Sequence, residues 1–237
     1  MGRSRKSGRI AALRRWFLKA LVCGVVLLVG LTALEVLLLR YVNPPFTANM
    51  AWRRVKGLLS SSGYERILYE WRDLEEISPH LRRAVMAGED QRFPLHRGFD
   101  FVELENAFRE AFRAGTVRGA STITMQTART VFLWPDRTLI RKVLEAYYAV
   151  LMELFWDKRR ILEIYLNTVD WGTGIMGAEA ACRVYFGVGA DQVTPSQAAL
   201  LAAVLPSPHF WSPVNPGSRV LDRKKRIFRD MGLMPDI

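Results

Sequence analysis

The stretch Gly88–Asp100, GEDQRFPLHRGFD, places two adjacent carboxylates, Glu89 and Asp90, directly after an apolar helical pattern formed by Leu81, Ala84, Val85 and Met86. Phe93, His96 and Asp100 follow closely. A carboxylate held against an apolar wall is poorly hydrated when ionised, so its pKa rises and it exchanges protons near neutral pH. That is general acid–base chemistry. The same residues also fit a helix end with solvated acids, and His96 alone fits a packing or capping histidine. Composition leaves both readings open.

A second group is cationic. Arg129, Arg137, Arg141 and Lys142 fall within a stretch of fourteen residues, and the planar fork of arginine donors suits phosphate oxygens. Glu145 lies one helical turn after Arg141. It is either a second functional carboxylate or half of an ordinary helix-surface ion pair worth about 0.3–0.5 kcal/mol. Between the two groups, Gly119-Ala120-Ser121-Thr122 before an apolar run reads as a turn and a helix N-cap. The exposed amides of such an N-terminus also suit phosphate or sugar oxygens.

The elements that must position these groups are helical. Phe101, Leu104, Phe108 and Ala111/Phe112 share one face, while Glu103, Glu105, Arg109, Glu110 and Arg113 share the other. This helix either packs its apolar face into the core or dips it into a lipid leaflet. Leu139–Phe155 and Ile161–Leu166 repeat the helical period, and Ser196–Leu205 is a compact Ala/Leu helix that stops at Pro206. Alternating strand patterns are nearly absent, so the body is expected to be mostly α.

Further upstream, Ala20–Leu39 carries one charge, Glu35. A helix of that length spans ~30 Å, the hydrocarbon thickness of a bilayer. The chain has a net charge of +11, of which residues 1–40 carry +7. The excess is therefore a basic tail before an apolar span rather than a nucleic-acid footprint, and no nucleic-acid partner is expected. The positive-inside rule puts the N-terminus in the cytoplasm and the bulk outside. The run is longer than a signal peptide's apolar region, and Leu31 spoils its only small-x-small site. An uncleaved anchor is the expectation, with Glu35 reaching towards Arg40 and the headgroups. Asn43-Pro44-Pro45 then ends the helix. The expected organisation is a cytoplasmic tail at 1–19, an anchor at 20–40, a linker at 41–50 and a folded domain at 51–237. At 50% hydrophobic residues the 237-residue chain can bury a substantial core. Cys23 in the anchor and Cys182 in the body are too far apart to pair and are read as two buried free thiols.

Two motifs are set aside. Gly172–Gly177 matches G-x-G-x-x-G, but no Val/Ile strand precedes it, so a flexible loop is expected there rather than a dinucleotide site. Asp222–Arg229, DRKKRIFR, reads as a solvated helix face of the kind that suits anionic lipid.

Taken together, Glu89-Asp90-x-x-Phe93-x-x-His96-x-Gly98-x-Asp100 resembles the first signature of the peptidoglycan glycosyltransferases. These are the polymerase modules of bifunctional penicillin-binding proteins and the stand-alone monofunctional transglycosylases. Gly119-Ala-Ser121-Thr122-Ile-Thr-Met125-Gln126 resembles the second signature and Arg141-Lys142-Val-Leu-Glu145 the third. Lys158-Arg-Arg-Ile-Leu-Glu163-Ile-Tyr165-Leu-Asn167 resembles the fourth, and Leu205-Pro206-Ser207-Pro208 the fifth. All five occur in order.

The resemblance implies a lysozyme-like fold and a reaction that joins lipid-linked disaccharides outside the cytoplasmic membrane of a bacterium. The 4-hydroxyl of lipid II attacks the anomeric carbon of the growing lipid-linked glycan, and undecaprenyl diphosphate leaves. Carried over by position, Glu89 is the general base and Glu145 the second carboxylate. Arg129 and Arg137 belong on the pyrophosphate side with Arg141 and Lys142. Ser121, Thr122 and Gln126 belong in the substrate cleft, together with Asp90, Phe93 and His96 of the first signature. The family pattern leaves room for a divalent cation, Mg or Mn, but no ligand set for one is readable here. Cell-wall synthesis proteins are the expected protein partners.

The chain departs from the usual pattern at Ala120, at Met125, which removes an amide, and at Arg129-Thr130, where Lys-Asn is usual. With no Ser-x-x-Lys motif and an end at Ile237, a monofunctional enzyme is expected. The alternatives are a lysozyme-like hydrolase or lytic transglycosylase, against which the cation cluster argues, and a non-catalytic anchored partner of wall synthesis.

Overall fold

A computed structural model describes residues 3–59, 66–114, 119, 121–136 and 138–237. The chain divides into two units, residues 1–42 and 43–237. The first is a single helix, α1 (Arg3–Leu39), apolar enough from Leu13 to Leu39 to cross a membrane. The basic tail thus continues the helix rather than preceding it. Cys23 lies on the outer surface of α1, not in a core, because a lone helix has no interior.

The second unit is mostly helical, as its 3.6-residue periodicities demand. Its elements are α2 (Ala48–Leu59), α3 (Pro79–Glu89), α4 (Phe101–Ala114), α5 (Ile123–Phe132), α6 (Leu139–Phe155), α7 (Lys158–Thr168), α8 (Ala178–Phe186), α9 (Pro195–Val204) and α10 (Ser218–Asp230). α9 is apolar all round, and a helix of that kind belongs in the interior. Ala198, Ala199, Leu201, Ala202, Ala203 and Val204 are all buried. A capping box between Thr194 and Gln197, with Pro195 in the first turn, starts it. α3 and α10 pack on α9 and on each other, while α5 packs on α6 and α7. α3 itself starts at Ser78, whose side chain accepts from His80 N, and buries Leu81, Ala84, Val85, Met86 and Ala87.

α4 differs. Phe101, Phe108 and Phe112 are 72%, 58% and 89% exposed, and among the described residues Ala107 is the one buried apolar side chain of the helix. Its apolar face is not packed into the core.

A small sheet closes the unit in the order β1-β3-β2, with β1 (Leu68–Tyr69) parallel and β2 (Asp170–Gly172) antiparallel to β3 (Ile175–Met176). The G-x-G-x-x-G segment is therefore a β-hairpin with buried strands, not a flexible loop. Its glycines serve backbone geometry. Gly177 has φ +85°, and a Cβ there would sit 2.4 Å from the Asn167 carbonyl oxygen. Asn167, fully buried, accepts from Arg72 N at 2.8 Å and donates to Arg72 O at 2.8 Å. The fourth signature's asparagine thus pins the β1 side of the chain to α7. Cys182 is buried in α8, where burial pushes its thiol up to about 12.

Two glycines with left-handed backbones separate strain from crowding. Gly187, φ +69°, would meet nothing within 4 Å as alanine, so Gly187→Ala should cost only about 1–2 kcal/mol of backbone strain. Gly177→Ala adds a collision with a main-chain carbonyl and should lower the melting temperature several degrees further. Thermal unfolding followed by circular dichroism of the detergent-solubilised chain checks the order.

Candidate active site

The site is built where α3 ends. Asp90, the residue after α3, turns out of helical conformation (φ −162°, ψ 79°) and folds its side chain back inside. Its carboxylate lies 3.0 Å from His96 Nε2 and accepts from Ile123 N, the first amide of α5, at 2.9 Å. A negative charge at a helix N-terminus meets both the free amides and the positive end of the dipole. Thr122 caps the same helix by accepting from Met125 N at 3.2 Å, and its hydroxyl donates to Gly98 O at 2.6 Å. Asp100 caps α4 by accepting from Val102 N and Glu103 N, each at 3.0 Å. The Phe93 ring is fully buried with the Lys158 ammonium 4.5 Å from its centroid. Asp90, Phe93 and His96 therefore hold the wall of the cleft from the inside.

This wall sets Glu89, the last residue of α3, beside α5. Gln126 Nε2 donates to Glu89 Oε2 at 3.0 Å, and Arg223 Nη2, from α10, donates to Oε1 at 2.8 Å. The Tyr165 hydroxyl of α7 donates to Gln126 Oε1 at 3.3 Å, which fixes the amide so that its nitrogen faces the carboxylate. The Glu89 side chain is 11% exposed: nearly buried, yet open at the surface. Burial pushes its pKa above the ordinary carboxylate value, and Arg223, Gln126 and the charge of Arg129 pull against that rise. Tyr165, held beside it, is pushed well above the ordinary phenol by burial and by Glu89, so it stays protonated at neutral pH. A carboxylate whose proton affinity is raised in this way, and which is still partly exposed, suits a general base.

Glu145 has a different environment. Its side chain is 1% exposed and pairs with both Arg141 and Lys142, the latter at 2.9 Å. The Arg141 side chain is only 8% exposed, so this pair is buried rather than a solvated i,i+4 contact. Lys142, 44% exposed, also donates to Ser121 Oγ at 2.8 Å. Glu145 thus anchors a lysine whose ammonium remains at the surface, while Ser121 holds the other side of it. Arg129 adds its charge beside Glu89 and has no carboxylate partner among the described residues. Arg137 and Ala120 lie outside the described residues. Met125 is 7% exposed on the inward side of α5, so an apolar side chain suits this position.

Among the described residues, one group offers three ligand atoms to a metal: Asp90, His96 and Asp100, all buried. It does not fit a catalytic divalent ion. Asp90 is committed to Ile123 N and His96, and the Arg92 guanidinium lies 3.1 Å from Asp100 Oδ2 as a competing cation. No catalytic step is routed through a metal here.

The helical pattern and the five signatures mark Glu89, Ser121, Thr122, Gln126, Arg129, Lys142 and Glu145. They do not mark Arg223, in the stretch read as a solvated face, or the Tyr165 hydroxyl as a partner of Gln126. Gly88 leaves room for α10: a Cβ there would lie 3.0 Å from Ile227 Cδ1, a tight approach, and 3.6 Å from Arg223 Nη2, an ordinary contact. The available signal is a glycine next to Glu89 at the end of α3 together with a strongly basic helix later in the chain.

Glu145→Gln should destabilise the fold by about 3–5 kcal/mol, because it leaves buried Arg141 without a counter-charge. Denaturant unfolding of the full chain measures this, and a loss below about 1 kcal/mol would mean that water reaches the pair.

Comparison with known proteins agrees with this geometry. A family model described as Transglycosylase matches residues 58–232. A biosynthetic peptidoglycan transglycosylase of Caulobacter vibrioides is 43% identical over 219 residues, covering 92% of this chain and 93% of the relative. Proteins of the same name from Chromohalobacter salexigens and Pseudomonas entomophila are 46% and 48% identical, over 86% and 83% of each chain. With a carboxylate poised beside a cationic wall and a family match over most of its length, the chain belongs to the transglycosylase family.

Proposed function

We propose that the chain polymerises lipid II into peptidoglycan glycan strands, with Glu89 as the general base. The acceptor's 4-hydroxyl donates its proton to Glu89 as its oxygen forms a bond to the anomeric carbon of the lipid-linked glycan. The bond from that carbon to the pyrophosphate breaks, and undecaprenyl diphosphate leaves with the electron pair. Arg129 and Lys142 supply positive charge for the departing pyrophosphate, the charge change on which such sites act. We assign Arg137 to the same wall. Ser121 holds Lys142, Gln126 orients Glu89, and Thr122 keeps α5 in place. The observation that carries the reading is Glu89 itself: nearly buried, with both oxygens held, and still 11% exposed.

α1 supplies a helix compatible with a single-pass membrane anchor. In our reading the basic residues before it stay in the cytoplasm, the helix spans the bacterial inner membrane, and residues 51–237 form the catalytic domain on the outer side. The exposed apolar face of α4 supports contact with the leaflet in which the lipid substrate resides. Proteins of cell-wall synthesis are the partner class this reading implies. No Ser-x-x-Lys motif occurs in the 237 residues, and the activity assigned is polymerisation without peptide cross-linking.

Labelled lipid II in detergent should yield polymer with the native chain, and Glu89→Gln should lower the rate by about 10²–10⁴-fold. Cleavage of preformed glycan instead of polymer would favour a hydrolase, and inactivity of folded native protein would favour a non-catalytic partner. The base works only when ionised and burial raises its pKa, so kcat/KM should fall as the pH drops through a value above the ordinary carboxylate's 4.5.

A further inference from the structure

α10 lies outside all five signatures and is strongly basic, yet its cations do not share one environment. The Lys225 and Arg229 side chains are 78% and 74% exposed, whereas that of Arg223 is 24% exposed. Arg223 Nη2 donates to Glu89 Oε1 at 2.8 Å and to the carbonyl oxygen of Gly88 at 2.6 Å. One nitrogen thus grips both the last carboxylate of α3 and the backbone that carries it. The second bond keeps the guanidinium from swinging away when Glu89 changes charge.

We propose that Arg223 is the positioning residue of the base: it fixes the Glu89 carboxylate in one orientation and supplies its counter-charge from the C-terminal helix. This rests on the reading of Glu89 as general base. The other groups facing Glu89 do not supply the same thing. From α5 come neutral Gln126, bonded to the opposite oxygen, and Arg129, which contributes charge without a hydrogen bond. From α7 comes Tyr165, protonated and directed at Gln126. Asp90, next in the chain, is negative and committed to Ile123 N and His96. α9 has no charged side chain over Pro195–Val204. Among the described residues, Arg223 alone combines a full positive charge with a direct bond to the carboxylate. Because it binds Oε1 and Gln126 binds Oε2, the carboxylate cannot rotate, and each oxygen retains a further lone pair for the acceptor hydroxyl.

The test uses the full chain in detergent with labelled lipid II across about pH 5 to about pH 9, the range in which a tuned carboxylate titrates. Arg223→Gln removes the charge, so Glu89 should hold its proton to higher pH. The acid limb of kcat/KM should move up by about one pH unit. On the acid side of the limb the rate should fall up to about 10-fold and recover as the pH is raised. KM for lipid II should stay near the native value, and Arg223→Lys should restore most of the acid limb. A purely structural role would lower the rate equally at every pH. Arg223→Met keeps the apolar stem and carries the same expectation should the Gln variant fail to fold.

A folded Gln or Met variant with the native acid limb would overturn the proposal, as would a Lys variant shifted as far as Gln. Glu89→Gln, run in parallel, separates the two readings. Polymerisation that persists there removes the base and Arg223's role with it. Inactive Glu89→Gln beside a native limb in Arg223→Gln removes Arg223's role alone.

Discussion

The Asp90 carboxylate joins the end of α3 to the start of α5, and the geometry of the cleft depends on that junction. It neutralises the first amide of α5 while His96 lies against its other side. Without it a buried N–H would be left unpaired, at a cost of about 1–3 kcal/mol. More important than the energy is the constraint. α3 carries Glu89, α5 carries Gln126 and Arg129, and the bracket fixes their separation at one end. Thr122 on Gly98 and Asp100 on α4 extend the bracket, so the stretch between Asp90 and Asp100 serves as the hinge pin of three helices.

From this frame two carboxylates emerge with opposite surroundings. Glu145 is sealed between two cations and donates its charge to keeping them in place. Glu89 is largely desolvated, with Gln126 bonded to one oxygen and Arg223 to the other. A chain of contacts, Glu89–Gln126–Ser121–Lys142–Glu145, links them through one amide, one main-chain carbonyl and one hydroxyl. A proton acceptor and an anion-binding lysine are thereby fixed in one framework.

Much of this was legible because it is local. Helical periodicity marked α4, α6 and α9, and the signature spacing marked Glu89, Gln126, Lys142 and Glu145. The rest was hidden for physical reasons. Arg223 meets Glu89 across 134 residues, and no periodicity reports a contact between two helices that both pack on a third. Arg141 and Glu145 have the spacing of a surface pair, and only the packing of α6 on α5 shows that they are buried. The hairpin at Gly172–Gly177 was masked because its strands are two or three residues long, too short for alternation to register. Its glycines looked like flexibility when Gly177 is there because Asn167 leaves no space.

α10 follows α3, α5 and α7 in the chain, and so the guanidinium that balances Glu89 is the last part of the site to be made. Chains emerge N-terminus first. α3 gains its packing only when α9 and α10 dock on it, so the burial of Glu89 is completed with the end of the domain. The burial of the carboxylate and its counter-charge therefore arrive in one event, the docking of α10 beside Gly88.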